Sequence, residues 1–508
     1  MKIFSLFAIL ITTQLNASPL FENLSNNLPN HVYSGEWNHF VGGGVAVLDC
    51  NNDNLPDIFA AGGTSPSKLF VNESNFKFSE KKLQEITGST GAYPIDINAD
   101  GFMDLFILQL GPNILLKGGP DCSFSDATKE FNIPNEAQWS TAFTAWWQDD
   151  KLPFMAVGNY VDLNDPKGPF FACDSHQILK PSGKIYKSKK FEPGFCALSM
   201  LTRQDASGTK RLRISNDRQY YVRNGYEQMW DLSDQRFLDE TDGWDKFSIW
   251  GMGIASRDIT GDGRDEVVLT SMGDQLLRIA NSDGTYKNAP FDIGTYAHKP
   301  YFGDDGRPST GWHAQFSDIN NDGLADLFIA KGNVDQMPSN AIKDPNNLLI
   351  QQSNGLFNEV GLDAWIASLE RSRGAALADF DLDGRIDILV MNRRAPMEIY
   401  RNITKNTGNW VAFKLVQKGG NRNAIGSRIT IGKDSQQVTI GGGHAGGQAT
   451  PIHFGLGNAK TATISIEWPD GSLTKHETKT NQIIKIYHLG FGILRPLGTV
   501  SGIPNRPF

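Results

Sequence analysis

Short alternating apolar segments, each followed by a cluster of Asp, Asn and Gly, fill the chain from about residue 44 to residue 403. Gly44-Val-Ala-Val-Leu48, Gly311-Trp-His-Ala-Gln-Phe316 and Gly374-Ala-Ala-Leu-Ala378 have the two-residue period of a half-buried strand. After each cluster comes a short apolar run: Asp57-Ile-Phe-Ala, Asp104-Leu-Phe-Ile-Leu, Glu266-Val-Val-Leu, Asp326-Leu-Phe-Ile-Ala and Asp387-Ile-Leu-Val. Two more alternating segments follow, as in Asn347-Leu-Leu-Ile350 and Gly355-Leu-Phe-Asn-Glu-Val360. The abundance of Gly, Asn and Asp points to tight turns between short strands rather than to long helices.

The polar clusters form a nine-residue repeat. Its five full copies start at Asp49, Asp96, Asp258, Asp318 and Asp379. Two degenerate copies fill the long gap after the second: Trp146, Gln148, Asp150 and Phe154 occupy the repeat positions in one, and Arg203, Asp205, Ser207, Gly208 and Arg211 in the other. Seven copies with steps of 47 to 61 residues, four short strands in each, predict an all-β, seven-bladed propeller. Phe21-Glu-Asn-Leu24 resembles the fourth-strand segment Phe357-Asn-Glu-Val360, and the last repeat has only three obvious strands. The N-terminal segment is therefore expected to supply the missing outer strand and cover an open edge.

Positions one, three, five and nine of each full copy carry oxygen-bearing side chains. They are Asp49, Asn51, Asp53 and Asp57; Asp96, Asn98, Asp100 and Asp104; Asp258, Thr260, Asp262 and Glu266; Asp318, Asn320, Asp322 and Asp326; and Asp379, Asp381, Asp383 and Asp387. With a backbone carbonyl at position seven, such a set wraps oxygens around one point, as an EF-hand loop does. No His or Cys softens it, so a hard cation is favoured over Zn²⁺, and about five structural Ca²⁺ sites are expected. Position six is Gly, or Asn54 in the first copy, as the sharp turn requires. In the degenerate copies Trp146 and Phe154, or Arg203 and Arg211, replace the first and last carboxylates, and no metal is expected there.

These repeats resemble FG-GAP/VCBS blades, the calcium-bearing units of integrin α-chain propellers and many secreted bacterial proteins. The region after them is more specific. Asn409-Trp410 to Val416, Asn421 to Arg428, Gly441-Gly-Gly443, Gln448, His453-Phe-Gly-Leu-Gly457 and Trp468-Pro-Asp-Gly471 resemble the ASPIC/UnbV domain that follows such propellers in the cartilage acidic protein family. His444-Ala-Gly-Gly stands where that family usually has Ser and an aromatic. The residue pattern alone reads as a small sandwich-like β domain, with strands at 411–416, 428–431, 461–467 and 483–487 and a hairpin turn at Pro469-Asp470-Gly471.

Residues 1–17 have the layout of a secretory signal peptide: Lys2, an apolar run from Ile3 to Thr12, and Ala17 before Ser18-Pro19. The expected organisation is thus a signal peptide at 1–17, a propeller at 18–406 with 18–40 closing its last blade, a second β domain at 407–488 and a loose tail at 489–508. The protein is expected to be exported to the periplasm, cell surface or medium, with no membrane span and as a monomer. Four cysteines fit an oxidising compartment. Cys173 and Cys196 bracket a Lys- and Pro-rich stretch and are expected to pair; Cys50 and Cys122 could be a pair or two buried thiols. A net charge of −8 with no dense basic stripe argues against nucleic acid.

Two departures from the blade pattern, at 162–195 and 289–310, could form a ligand face. The first holds Lys180, Lys184, Lys187, Lys189 and Lys190, which read as a solvated loop or an anionic-glycan site. The second holds His298, Tyr301 and Arg307, near His313, the types that supply a general base and a carboxylate clamp. The leading expectation is a calcium-stabilised exported protein acting in binding or adhesion toward a protein or glycan. The alternatives are a calcium-dependent polysaccharide lyase or hydrolase and a passive scaffold. Convergence of His298, Tyr301, Arg307 and His313 on one pocket would favour the enzyme.

Overall fold

The computed structural model describes residues 17–149, 151–205, 208–217, 224–303, 306–488. The expected signal peptide up to Asn16, the expected loose tail from residue 489, Asp150 and Ser207 lie outside the described residues.

The alternating segments fold into seven four-stranded antiparallel meanders. Their first strands are Val45–Leu48, Ser89–Ile95, Gln138–Trp146, Ala197–Gln204, Gly251–Arg257, Gly311–Ser317 and Ser372–Ala378, defining blades one to seven. These strands are neighbours in succession, and the seventh lies beside the first, so they ring an axis. Nearly every residue in them is buried, because one side packs against the adjoining blade and the other meets the axis. Apolar clusters fill the wedges between blades, for example Phe59, Leu69, Leu105 and Ile107 between blades one and two.

Blade seven takes its outer strand from the other end of the chain. Phe21–Asn23 pairs antiparallel with Glu398–Asn402, Phe21 opposite Asn402. Phe21 is fully buried, and its N–H donates to the Ala364 carbonyl at 3.0 Å. Blades one and seven also share an apolar core that includes Val45, Phe70, Phe380 and Met397.

The Lys-rich stretch is not an insertion loop. His176–Ser182 and Ile185–Phe191 are the third and fourth strands of blade three. Tyr186 and Phe191 point inward while the lysines stand exposed on the outer edge, where charge blocks pairing with another chain. Only 160–175 departs from the blade, and the Cys173–Cys196 disulfide ties it to the start of blade four. Cys50 and Cys122 form a second disulfide, between blades one and two.

After blade seven the chain forms two further sheets around Phe413, Phe454, Ile464 and Trp468. Asn409–Gln417 lies between Ile452–Gly457 and Gln482–His488, the latter in parallel. Arg428–Ile431 and Thr461–Glu467 are flanked by Asp434–Gln437 and Leu473–Lys479. The sequence pattern misses three of these seven strands; Leu473–Lys479 is mostly Thr, Lys, His and Glu, so it carries no apolar signal.

Candidate functional site

All five full repeat loops join the first strand of a blade to the second, and they share one hydrogen-bond pattern. The position-one carboxylate accepts the N–H of position six: Asn54 to Asp49 at 3.0 Å, Gly101 to Asp96 at 3.0 Å, and Gly263 to Asp258, Gly323 to Asp318 and Gly384 to Asp379 at 2.8 Å. Position six has φ between 75° and 91° in all five, the left-handed conformation that Gly and Asn tolerate. Position four is left-handed as well, at Asn52, Ala99, Gly261, Asn321 and Leu382. Ala99 and Leu382 carry no sequence signal for that conformation.

The position-nine carboxylate clasps each loop to its blade. In blade six Asp326 accepts from Ile319 N at 2.9 Å and from Gln351 N at 2.9 Å; Asp57, Asp104 and Asp387 make the same pair of bonds. Each bond leaves a lone pair free on its oxygen. Several oxygens are buried without a well-formed hydrogen bond among the described residues: Asp49 Oδ1, Asp96 Oδ1, Asp381 Oδ1 and Glu266 Oε1. In blade seven Asp379, Asp381 and Asp387 each offer an oxygen within 4.8 Å of the others.

Burial pushes these carboxyls up, to about 7 for Asp57, Asp104 and Glu266 and about 8 for Asp318, whose neighbour Asp322 adds to the shift. The loops differ in what offsets their charge. Lys414 Nζ lies 2.7 Å from Asp49, Arg401 lies 2.7 Å from Asp381, and Arg264 contacts Asp262. Among the described residues no Lys or Arg makes an ion pair with Asp318, Asp322 or Asp326 of blade six, although Asp318 and Asp326 are buried. Arg257, paired with Asp434, acts on Asp318 only through space, and this oxygen-only set fits a hard divalent cation. A second cluster, Cys50, Asp57 and Cys122, does not, because both sulfurs are in a disulfide and neither is a thiolate.

The C-terminal domain sits directly on this loop face. Besides Lys414 on the first loop, Arg422 approaches Asp96, Asp258 forms a bridge with Ser435, and the His453 Nε2–H donates to Asn321 Oδ1 at 2.7 Å. From that face the glycine segment rises along the propeller axis. Ile440, Gly441, Gly443, Gly446 and Gln448 each form a bridge with a first strand, those of blades three, four, five, two and one respectively. Glycine is needed here because backbone packs on backbone: a Cβ on Gly446 would lie 2.0 Å from the Val45 carbonyl oxygen, and one on Gly91 would lie 1.6 Å from that of Ala445.

His444 at the tip of this segment is fully buried, its ring 4.9 Å from that of Trp312, and the Arg373 guanidinium carbon lies 4.0 Å from the Trp312 ring centre. From the opposite mouth, Phe40 and Val41 pack with Trp139, Tyr160 and Trp312, and Arg373 Nε donates to the Phe40 carbonyl at 2.9 Å. The axis is thus filled from both ends. A gap of about 180 Å³, lined by Gln315, Gln436, Gln437 and Gln448, remains between the domains.

His298, Tyr301, Arg307 and His313 do not converge. His298 pairs with Asp274 at 2.6 Å on the surface. The Tyr301 hydroxyl donates to the Asn346 carbonyl at 2.8 Å, and Arg307 is half-buried in the loop that leads into the first strand of blade six. His313 is in the axis, where its Nδ1 accepts the His444 N–H at 3.1 Å. The five lysines stand on the outer edge of blade three.

A family model described as ASPIC and UnbV matches residues 417–490, and one described as FG-GAP-like repeat matches 49–107, 258–329 and 318–390. Cartilage acidic protein 1 of Homo sapiens is 22% identical over 249 residues, covering 47% of this chain and 36% of that protein. Its Mus musculus counterpart is 20% identical over 181 residues, covering 34% and 28%. The chain therefore spans about a third of the length of the curated relatives it matches. Among solved structures, YCF48 bound to D1 peptide is similar at 10% identity and a TM-score of 0.44, covering 77% of this chain and 99% of that one. BBS1N in complex with ARL6DN is similar at 9% identity and a TM-score of 0.44, covering 76% and 97%.

Proposed function

From the premise that this chain is a propeller-type protein of FG-GAP-like repeats carrying an ASPIC/UnbV domain, we propose that it is an exported, calcium-stabilised binding protein. The oxygen-only loops carry the calcium reading: in blade seven Asp379, Asp381 and Asp387 each offer an oxygen within 4.8 Å of the others, and in blade six Asp318 and Asp326 are buried with no ion-paired Lys or Arg among the described residues. In that blade Asp318, Asn320, Asp322 and Asp326 would hold the ion, and the equivalent positions would do so in blades one, two, five and seven. The ion's role is to neutralise buried acid and fix the loop face on which the C-terminal domain rests. Two disulfides support an oxidising compartment, and no described helix is long and apolar enough to cross a membrane.

Binding is favoured over catalysis because the four side chains that would have made a catalytic group are spread over separate places, each engaged within the fold. Ligands of protein or glycan type would then meet the outer surfaces, since the axis is filled. The test is a pair of measurements on the purified chain from residue 18. Melting curves with millimolar CaCl₂ and with chelator should differ by several degrees, with Mg²⁺ less effective than Ca²⁺. A pull-down or glycan array run in calcium should return a ligand that is lost on chelation. Identical melting curves in calcium and chelator would remove the calcium reading.

A further inference from the structure

Blade four repeats the loop position of its neighbours with the charge reversed. Where the full copies have carboxylates at positions one and nine, it has Arg203 and Arg211. Both line a pocket of about 50 Å³ at the seam between blades four and five, together with Arg213, Arg264, Asp205 and Asp265. A water needs roughly 10–15 Å³ of such space, so the pocket has room for a group larger than one water, such as a carboxylate or sulfate. Apolar packing at this seam is split between two small clusters, Leu201, Ile254, Val267 and Leu269 in one and Met229, Leu238 and Trp244 in the other.

The acids of the pocket are already engaged. Asp265 is shared by Arg203 at 2.8 Å and Arg428 at 2.6 Å, and Asp205 takes Arg211 at 3.0 Å. Arg264 contacts Asp262, and Arg203 Nη1 donates to the Ser256 carbonyl at 2.6 Å. Arg213 is different. It is 5% exposed, and neither Nη1 nor Nη2 has a hydrogen-bond partner among the described residues. Its guanidinium carbon lies 4.5 Å from the Tyr286 ring centre and 5.1 Å from that of Trp244. Aromatic contact offsets part of the cost of burying the charge but consumes none of its N–H groups. The buried acid Glu227 acts on it only through space, and burial pushes that carboxyl up to about 8.

We propose that this pocket is an oxyanion site, in which Arg213, with Arg203 and Arg211 beside it, holds a carboxylate or sulfate group. A guanidinium held against rings keeps its planar fork of donors free, which is the geometry that carboxylates and sulfates accept in pairs. The assignment does not depend on calcium occupying the other loops.

The test is calorimetric titration of the full mature chain at constant ionic strength and fixed excess CaCl₂, with sodium acetate and sodium glucuronate as probes and sodium chloride as control. Acetate reports a free small anion and glucuronate a carboxylate carried on a sugar. Wild type should bind at least one probe saturably in the millimolar range or tighter. Arg213→Lys, which keeps the charge and loses the fork, should bind at least tenfold more weakly at an unchanged melting temperature. If Arg213→Lys does not fold, Arg211→Gln at the pocket mouth should weaken binding at least threefold. Non-saturating heats for both probes in wild type, or equal affinity in the variant that folds, would overturn the site.

Discussion

The loops of blades six and four occupy the same place in their blades and carry opposite charge. In blade six, Asp318 and Asp326 face each other beneath the C-terminal domain with no ion-paired base. In blade four, Arg203 and Arg211 take those positions and are held by Asp265 and Asp205. The difference separates two duties that position nine combines. In blade six Asp326 ties two backbone N–H groups to the loop and also contributes negative charge. Blade four folds with neither, because Arg203 and Arg211 of its first two strands are directly opposite one another and the turn between them is short. A blade can therefore dispense with its polar loop; the carboxylates are kept for something beyond the fold of one blade.

The largest break in this contrast should come from Asp326→Ala. It leaves the Ile319 and Gln351 N–H groups buried without acceptors, at about 1–3 kcal/mol each, so a loss of about 2–5 kcal/mol is expected in urea unfolding. Arg211→Ala, at the equivalent position of a half-buried ion pair, should cost within about 1 kcal/mol. Comparable losses in the two variants would show that position nine is only a turn residue.

Docking of the C-terminal domain gives the next effect. A Cβ on Gly455 would lie 1.9 Å from Asp318 Oδ2 and 2.5 Å from the Asn321 Cα, so Gly455→Ala must push the domain off the loop of blade six. A loss of about 1–3 kcal/mol is expected, of the size seen for forced overpacking, with faster proteolysis between the two domains. Gly208→Ala, at position six of blade four, meets nothing nearer than the Gln204 amide nitrogen at 3.4 Å and has only its φ of 83° to oppose it. About 1 kcal/mol is expected there.

The propeller was legible because strand grammar and loop recur together: even the degenerate copies at Trp146 and Arg203 align with the joins between first and second strands. The N-terminal strand was legible for the same reason, since Phe21 to Leu24 copies a fourth-strand pattern. Contacts that owe nothing to the repeat were not. The glycine segment at 441–447 has neither alternation nor ligand residues, and its use, backbone against backbone along the axis, depends on strands from five different blades. The lysines at 180–190 obscured a true hairpin, because an outermost strand needs inward side chains only at Tyr186 and Phe191. Arg213 gave no sign at all; its isolation arises from neighbours in two blades.

With excess Ca²⁺ keeping the loop carboxylates ionised, acid should loosen the docked C-terminal domain and its axial segment through buried histidines; without the ion, raised carboxyls such as Asp318 and Glu266 would instead favour the folded state as pH falls. Burial holds His453 and His444 at about 3 and His313 at about 4, all below the ordinary 6.5. Below pH 6.5 the unfolded chain takes up protons that the folded chain refuses. Stability present above that pH is therefore lost as pH falls toward 4, by on the order of 1 kcal/mol per ring for each pH unit. His453→Gln retains a donor for Asn321 and should flatten the decline in melting temperature between pH 6.5 and 5 by about a third; an unchanged slope would mean that His453 does not report on docking.

The smallest effect concerns position four, where blade six has Asn321 and blade seven has Leu382, at φ values of 59° and 58°. Asn suits that conformation and here also works: its Nδ2 donates to the Gly384 carbonyl at 2.9 Å and its Oδ1 accepts from His453. Leu382 has the same backbone with a side chain that disfavours it, a cost of about 1–2 kcal/mol that Asn largely avoids. Its side chain is only half-buried, lining a cavity with Ala412 and Ile483, so Leu382→Asn forfeits part of its apolar burial, and a net gain of about 0.5 kcal/mol is expected by urea unfolding. The reverse change in blade six, Asn321→Leu, should be strongly unfavourable, because it strands both the Gly384 carbonyl and the His453 N–H. If the two substitutions gave effects of the same sign, backbone strain at position four would not be what distinguishes the loops, and the choice of residue there would rest on contact with the C-terminal domain alone.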